Sequence, residues 1–90
     1  MNTKLENLRK QIDTVDEKIL TLLSKRISIV RKIGKLKKEN GIKLLDEKRW
    51  RQLLDSRLSK ADSLDLPGTL IKEIYGFIHK YSLDIEKNSK

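Results

Sequence analysis

The sequence predicts an all-α fold: three helices, one very long and two shorter, forming an intertwined helical homodimer. Three observations predict it. First, Leu5, Leu8, Ile12, Val15, Ile19, Leu22, Arg26, Ile29, Ile33 and Leu36 follow one another at alternating steps of three and four, the seam of a long helix packed on other helices. Second, no stretch sustains the period-2 alternation of a strand. Third, the seam is too long for one chain to cover. A helix of about 36 residues extends roughly 54 Å, whereas a compact 90-residue domain has a radius of gyration near 12 Å. A second copy of the chain is the simplest cover.

The first helix is expected over about 4–39. Gly34 lies inside it, at a cost of roughly 1 kcal/mol relative to alanine, and Asn40-Gly41 is a left-handed stop. Ile42 to Leu45 connect to Asp46, which suits an N-cap, with Leu45 and Trp50 spaced as a hydrophobic staple. The second helix, 46–61, carries Trp50, Leu53, Leu54 and Leu58. Asp65-Leu66-Pro67 reads as a start signal with proline in the first turn. The third helix, 66–86, carries Leu70, Ile71, Ile74, Tyr75, Phe77, Ile78, Tyr81, Leu83 and Ile85. Residues 87–90 read as a loose tail, and residues 1–90 as a single domain, so any regulation is expected from a partner chain.

Composition narrows the function. The chain is 37% hydrophobic and 38% charged, too apolar and too regularly patterned for disorder but thin for an independent core. It has no cysteine and one histidine, His79, which argues against metal centres and His-dependent triads. There is no signal-like apolar core and no run of membrane-spanning length; a cytoplasmic protein without a membrane partner is expected. The net charge is +8, and residues 1–40 hold 11 Lys/Arg against 5 Asp/Glu. Such an excess suits an anionic partner.

Arg26 is the anomaly. It occupies the seventh position of an otherwise aliphatic seam, and a guanidinium in a helical core costs several kcal/mol unless an anion meets it. Lys37 follows 11 residues later, three turns on and about 20° around, so the two share a face about 16 Å apart. Arg9 lies about 25 Å before Arg26 and about 100° around the helix. It cannot serve a small ligand held by its own chain's Arg26, but an antiparallel partner could supply it. Asp46 and Arg49 look off the first turn of the second helix, and Ser82 and Glu86 share a face of the third. Taken singly, Arg9, Lys37, Arg49, Ser82 and Glu86 read as surface residues, and His79 as exposed or structural.

Taken together, Leu8-Arg9-x-x-Ile12-x-x-x-Asp16, Leu22-Leu23-x-x-Arg26, Ile33-Gly34-Lys35-x-Lys37, Asp46-x-x-Arg49 and Ser82-x-x-x-Glu86 resemble the all-helical class of chorismate mutase. The resemblance runs without a gap from about Leu5 to Glu86. It implies rearrangement of chorismate to prephenate in aromatic amino-acid biosynthesis, with no cofactor, no metal and no nucleic acid. Arg26 and the partner's Arg9 would bind the two substrate carboxylates. Lys37 would donate to the ether oxygen, Arg49 and Ser82 would line the carboxylate end, and Asp46 would sit near the ring hydroxyl. Glu86 takes the position where the family places Gln or Glu against the ether oxygen. To donate there it must be protonated; turnover would then fall as pH rises through neutrality, and Glu86→Gln would flatten the profile. One departure stands out. The residue after Arg49 is often a glutamate that contacts the hydroxyl; here it is Trp50, whose ring N–H only donates.

Two other readings remain open at this point. An isochorismate pyruvate lyase would use similar cations on a similar dianion. A basic helical module binding nucleic acid or protein fits the charge, although aromatics for base stacking are scarce.

Overall fold

A computed structural model describes residues 2–89. Among these residues there are three helices and no strand: α1 (Thr3–Glu39), α2 (Glu47–Ser63) and α3 (Gly68–Asn88). Asn2 caps α1, its side-chain oxygen accepting from the Leu5 backbone N–H at 3.1 Å. This satisfies a donor that the first turn would otherwise leave open.

Both interhelical turns close by the same device. After α1, Gly41 adopts φ 62°; the Ile42 N–H reaches the Lys37 carbonyl at 2.8 Å and the Gly41 N–H reaches Lys38 at 3.4 Å. After α2, Asp65 adopts φ 57°; the Leu66 N–H reaches Ala61 at 2.9 Å and the Asp65 N–H reaches Asp62 at 3.2 Å. These paired bonds across a left-handed residue satisfy the last carbonyls of a helix.

The second turn differs from the sequence expectation. Asp65 closes α2, which runs to Ser63, instead of opening α3. Pro67 is the N-cap of α3, and its carbonyl accepts the first helical bond, from Ile71 at 3.2 Å. α3 therefore starts at Gly68, not 66. An aspartate suits an N-cap and a left-handed position alike, so the local sequence does not choose between them.

The expected loose tail is also different. Lys87 and Asn88 are helical. The Lys38 ammonium donates to the Lys87 carbonyl at 2.6 Å and to the Ser89 carbonyl, tying the end of α3 to α1. Cationic donors suit the unpaired carbonyls of a helix C-terminus. Lys90 lies outside the described residues.

α3 packs against both α1 and α2. Val30 and Gly34 of α1, Leu53 and Ala61 of α2, and Ile71 and Glu86 of α3 are buried. Arg57 of α2 lies over the Tyr75 ring of α3 at 5.9 Å, a cation–π distance. The molecule measures 59 × 27 × 15 Å with a radius of gyration of 16.8 Å, well beyond the ~12 Å of a compact chain this size. The apolar members of the α1 seam are all exposed in the single chain, from Leu5 to Leu36, as are Leu70, Ile74, Phe77 and Tyr81 on α3. None of the helices among the described residues is long and apolar enough to cross a membrane.

Candidate functional site

Where α1, α2 and α3 converge they enclose a cavity of about 240 Å³. α1 contributes Arg26, Val30, Ile33 and Lys37. α2 and the connection before it contribute Leu44, Asp46, Arg49, Trp50 and Leu53. α3 contributes His79, Ser82, Leu83 and Glu86. Seven of the eight residues singled out from the sequence thus line one space. Arg9 does not: it is exposed near the N-terminal end of α1, 28 residues before Lys37. A larger groove of about 560 Å³ runs past Arg31, Lys32, Lys35, Tyr81 and Asp84, but these residues are all exposed.

Arg26 meets no anion within the described residues of its own chain. Its Nη1 donates to Ser82 Oγ at 3.0 Å, so the break in the α1 seam faces the polar interruption of α3. A neutral hydroxyl leaves the guanidinium charge uncompensated and most of its donor fork free for a ligand. Lys37 is more occupied. Its Nζ lies 2.9 Å from Glu86 Oε1 and donates to the Leu44 carbonyl at 2.7 Å. The pair is largely shielded, with side-chain exposures of 19% for Lys37 and 8% for Glu86. A shielded pair of this kind loses heavily if one partner is removed, because the other is left uncompensated.

Gly34 sets where Glu86 stands. A Cβ at Gly34 would lie 2.7 Å from Glu86 Cα and 3.0 Å from the Glu86 carbonyl oxygen. The backbones of α1 and α3 therefore touch one turn before Lys37, at the residue that carries the carboxylate. From the sequence Gly34 is a helix cost and one member of a motif; the structure brings the Glu86 backbone directly against it.

On α2, Asp46 is the N-cap, its Oδ1 accepting from the Arg49 N–H at 2.9 Å. The cap orients the first turn, from which Arg49 and Trp50 project into the cavity. Trp50 turns to His79, with ring centroids 4.1 Å apart and planes 16° from parallel. His79 is the cavity residue that sequence reasoning passed over. Its spacing from Ser82 and Glu86, three and seven residues, was the available signal that all three share a face. Burial lowers the His79 pKa below 6.5; the nearby Glu86 carboxylate raises it and Arg26 lowers it. The imidazole is accordingly neutral at pH 7.

The cavity thus holds three cations, Arg26, Lys37 and Arg49, against two carboxylates, Asp46 and Glu86. It can grip carboxylate groups through arginine forks and present a point positive charge from Lys37.

Comparison with known proteins agrees with this architecture. The sequence matches the family model described as chorismate mutase type II over residues 8–87. The T-protein of Enterobacter agglomerans is 33% identical over 88 residues, which are 98% of this chain and 24% of that protein. The chorismate mutase of Methanocaldococcus jannaschii is 34% identical over 67 residues, covering 72% of this chain and 68% of that one. The chain spans about a quarter of the first of these relatives. Among solved structures, chorismate mutase (form II) from Thermus thermophilus superposes with a TM-score of 0.88 at 33% identity, covering 97% of this chain and 98% of that one. A conserved hypothetical protein from Pyrococcus furiosus superposes with a TM-score of 0.75 at 35% identity, covering 96% and 99%.

Proposed function

This chain belongs to the chorismate mutase type II family, and on that footing we propose that it rearranges chorismate to prephenate, as a homodimer, in aromatic amino-acid biosynthesis. The observation that carries the reading is the convergence of Arg26, Lys37, Arg49, Ser82 and Glu86 from three helices on one cavity.

The reaction breaks an ether C–O bond as a new C–C bond forms within one molecule. Two tasks fall to the protein. The first is to hold a flexible dianion in a compact, chair-like geometry, a matter of proximity and orientation. Arg26, already aimed by Ser82, takes one carboxylate, and Arg49 lines the same end. The second is to stabilise the charge that builds on the ether oxygen. Lys37 is the donor for that oxygen. In the free protein its ammonium is held on Glu86 and the Leu44 carbonyl, so it is pre-aimed and substrate replaces one existing partner. Glu86, as the acceptor of that ion pair, positions the ammonium from the α3 side. Asp46 sits near the ring hydroxyl.

Charge and surface both favour a second chain. The cavity side chains sum to +1, three cations against two carboxylates; the partner's Arg9 would bring the site to +2, matching a dianion. The accessible surface is 7730 Å², against roughly 5400 Å² for a compact monomer of 10.5 kDa. The excess is of the order buried in obligate dimers. It is carried by two apolar stripes, the α1 seam and Leu70, Ile74, Phe77 and Tyr81 of α3, and exposed apolar surface on this scale marks an interaction site. Antiparallel pairing of α1 covers the seam and carries each Arg9 to the other chain's cavity.

The experiment is to follow chorismate absorbance with purified protein, with isochorismate assayed in parallel. Prephenate from chorismate and no pyruvate from isochorismate is the expected result. Absence of chorismate turnover counts against the reading, and pyruvate from isochorismate alone redirects it to the lyase.

A further inference from the structure

Trp50 and His79 take no part in holding a dianion by charge, yet they form one wall of the cavity, stacked face to face at 4.1 Å. Several polar groups around them already have a partner among the described residues, the Arg49 guanidinium and most of the Arg26 donor fork being free there. Arg26 is on Ser82, Lys37 is on Glu86 and the Leu44 carbonyl, and Asp46 caps the Arg49 N–H. No hydrogen bond among the described residues uses a ring nitrogen of His79. Arg49 and the Trp50 indole only donate, whereas a neutral imidazole carries one donor and one acceptor. That is the complement of a hydroxyl group, which also does both. Stacking on Trp50 holds the plane of this cavity-lining imidazole in place, so a hydrogen bond from its ring costs little further side-chain freedom.

We propose that His79, held flat against Trp50, hydrogen-bonds the ring hydroxyl of the bound substrate and makes the site selective for a hydroxylated dianion. The inference rests on the reading of the cavity as a chorismate site. His79 becomes a specificity-determining residue that charge pattern alone does not reveal, and Trp50 its positioning partner. Burial keeps the imidazole in the neutral form this role requires, with Glu86 and Arg26 acting on it in opposite directions and Lys37, Asp46 and Arg49 completing the charged lining.

The test is a comparison of kcat/KM for chorismate and for its methyl ether at the ring hydroxyl, in the wild type, His79→Phe and His79→Gln. Phenylalanine keeps a flat ring for the stack and removes both nitrogens; glutamine restores a donor and an acceptor if phenylalanine impairs folding. The wild type is expected to prefer chorismate by about tenfold or more, the scale of one hydrogen bond. His79→Phe is expected to shrink that preference by about tenfold, chiefly through KM, and His79→Gln to retain part of it. A loss of stability alone would slow both substrates equally and leave their ratio unchanged. A wild type that treats both substrates alike, or a ratio unchanged in the variants, overturns the inference while leaving the proposed function standing. A wild type that does not turn over chorismate overturns both.

Discussion

Residues 3–25 and 26–39 are two stretches of one helix with the same three-and-four spacing, yet the fold treats them differently. Every residue from Thr3 to Lys25 is exposed, whereas Val30 and Gly34 are buried and Arg26, Ile27 and Lys37 half-buried. The apolar seam is exposed along both stretches, but the second also packs on α3 through Val30 and Gly34 beside the seam and forms one side of the cavity. Periodicity therefore identifies which face of a helix is apolar but not what covers it. The chain covers only the residues beside the seam in the second stretch, and in the proposed dimer the partner covers the seam itself.

The largest effects are expected from the packed half. Arg26→Ala and Lys37→Ala should each reduce kcat/KM by about a hundredfold or more, the scale of removing one aimed donor from developing charge. Steady-state kinetics on folded protein checks this, and near-normal turnover in either variant would overturn the site. The exposed half is next. Arg9→Ala should be similarly impaired although its residue lines no cavity of its own chain. Mixing it with Arg26→Ala and allowing subunits to exchange should restore about a quarter of wild-type activity, because half the dimers then carry one intact site of two. No recovery on mixing would break the link between the two stretches.

Ile12→Asp places a charge in the middle of the exposed stripe. It should convert the dimer to monomer in sedimentation and lower Tm by several degrees or more, a charge buried without a partner being costly. An unchanged sedimentation profile would mean the stripe is not an interface. A smaller effect separates two helical glycines. Gly34→Ala forces a Cβ against the Glu86 backbone and should lower kcat about tenfold, as expected for a small misplacement of a catalytic group. Gly76, which has nothing within 4 Å of an added Cβ, should tolerate alanine with unchanged kcat and up to about 1 kcal/mol more stability. Equal kcat in both would remove the positioning role of Gly34.

The smallest effect concerns His79. Burial lowers its pKa in the folded state below 6.5, so the unfolded chain binds more protons between the two values. Stability conferred by keeping it neutral is then complete above about pH 6.5 and is lost as pH falls through that value towards the folded pKa. Wild-type Tm should accordingly drop more between about pH 7 and pH 5 than that of His79→Phe. Parallel curves for the two proteins would show that His79 does not titrate differently on folding.

Much of the site was legible because helical geometry is local. Arg26 stood out in its seam, and Lys37 followed from three turns of the same helix; Asp46 with Arg49, and Ser82 with Glu86, each followed from one. His79 shares the α3 face with Ser82 and Glu86 by the same rule, yet its importance comes from Trp50 on another helix. Which residues oppose each other across two helices depends on their relative register, which periodicity within one helix does not encode. The same reason hid Gly34, whose meaning is the backbone it touches. Asp65 was misplaced on other grounds: its type suits two turn positions, and the bonds from Leu66 to Ala61 and from Ile71 to Pro67 decide between them. The role of Arg9 rests on resemblance and on a partner chain, not on any contact within this one.

By itself, then, the sequence determined the three-helix class, the apolar faces and the cations set into them, since these follow from side-chain chemistry repeated at the helical period. Tertiary structure decided that Arg26 meets Ser82, that Lys37 pairs with Glu86, that α1 and α3 touch at Gly34 and that Trp50 stacks on His79. Those contacts join residues 29 to 56 positions apart, and only the packing of one helix against another sets their separation.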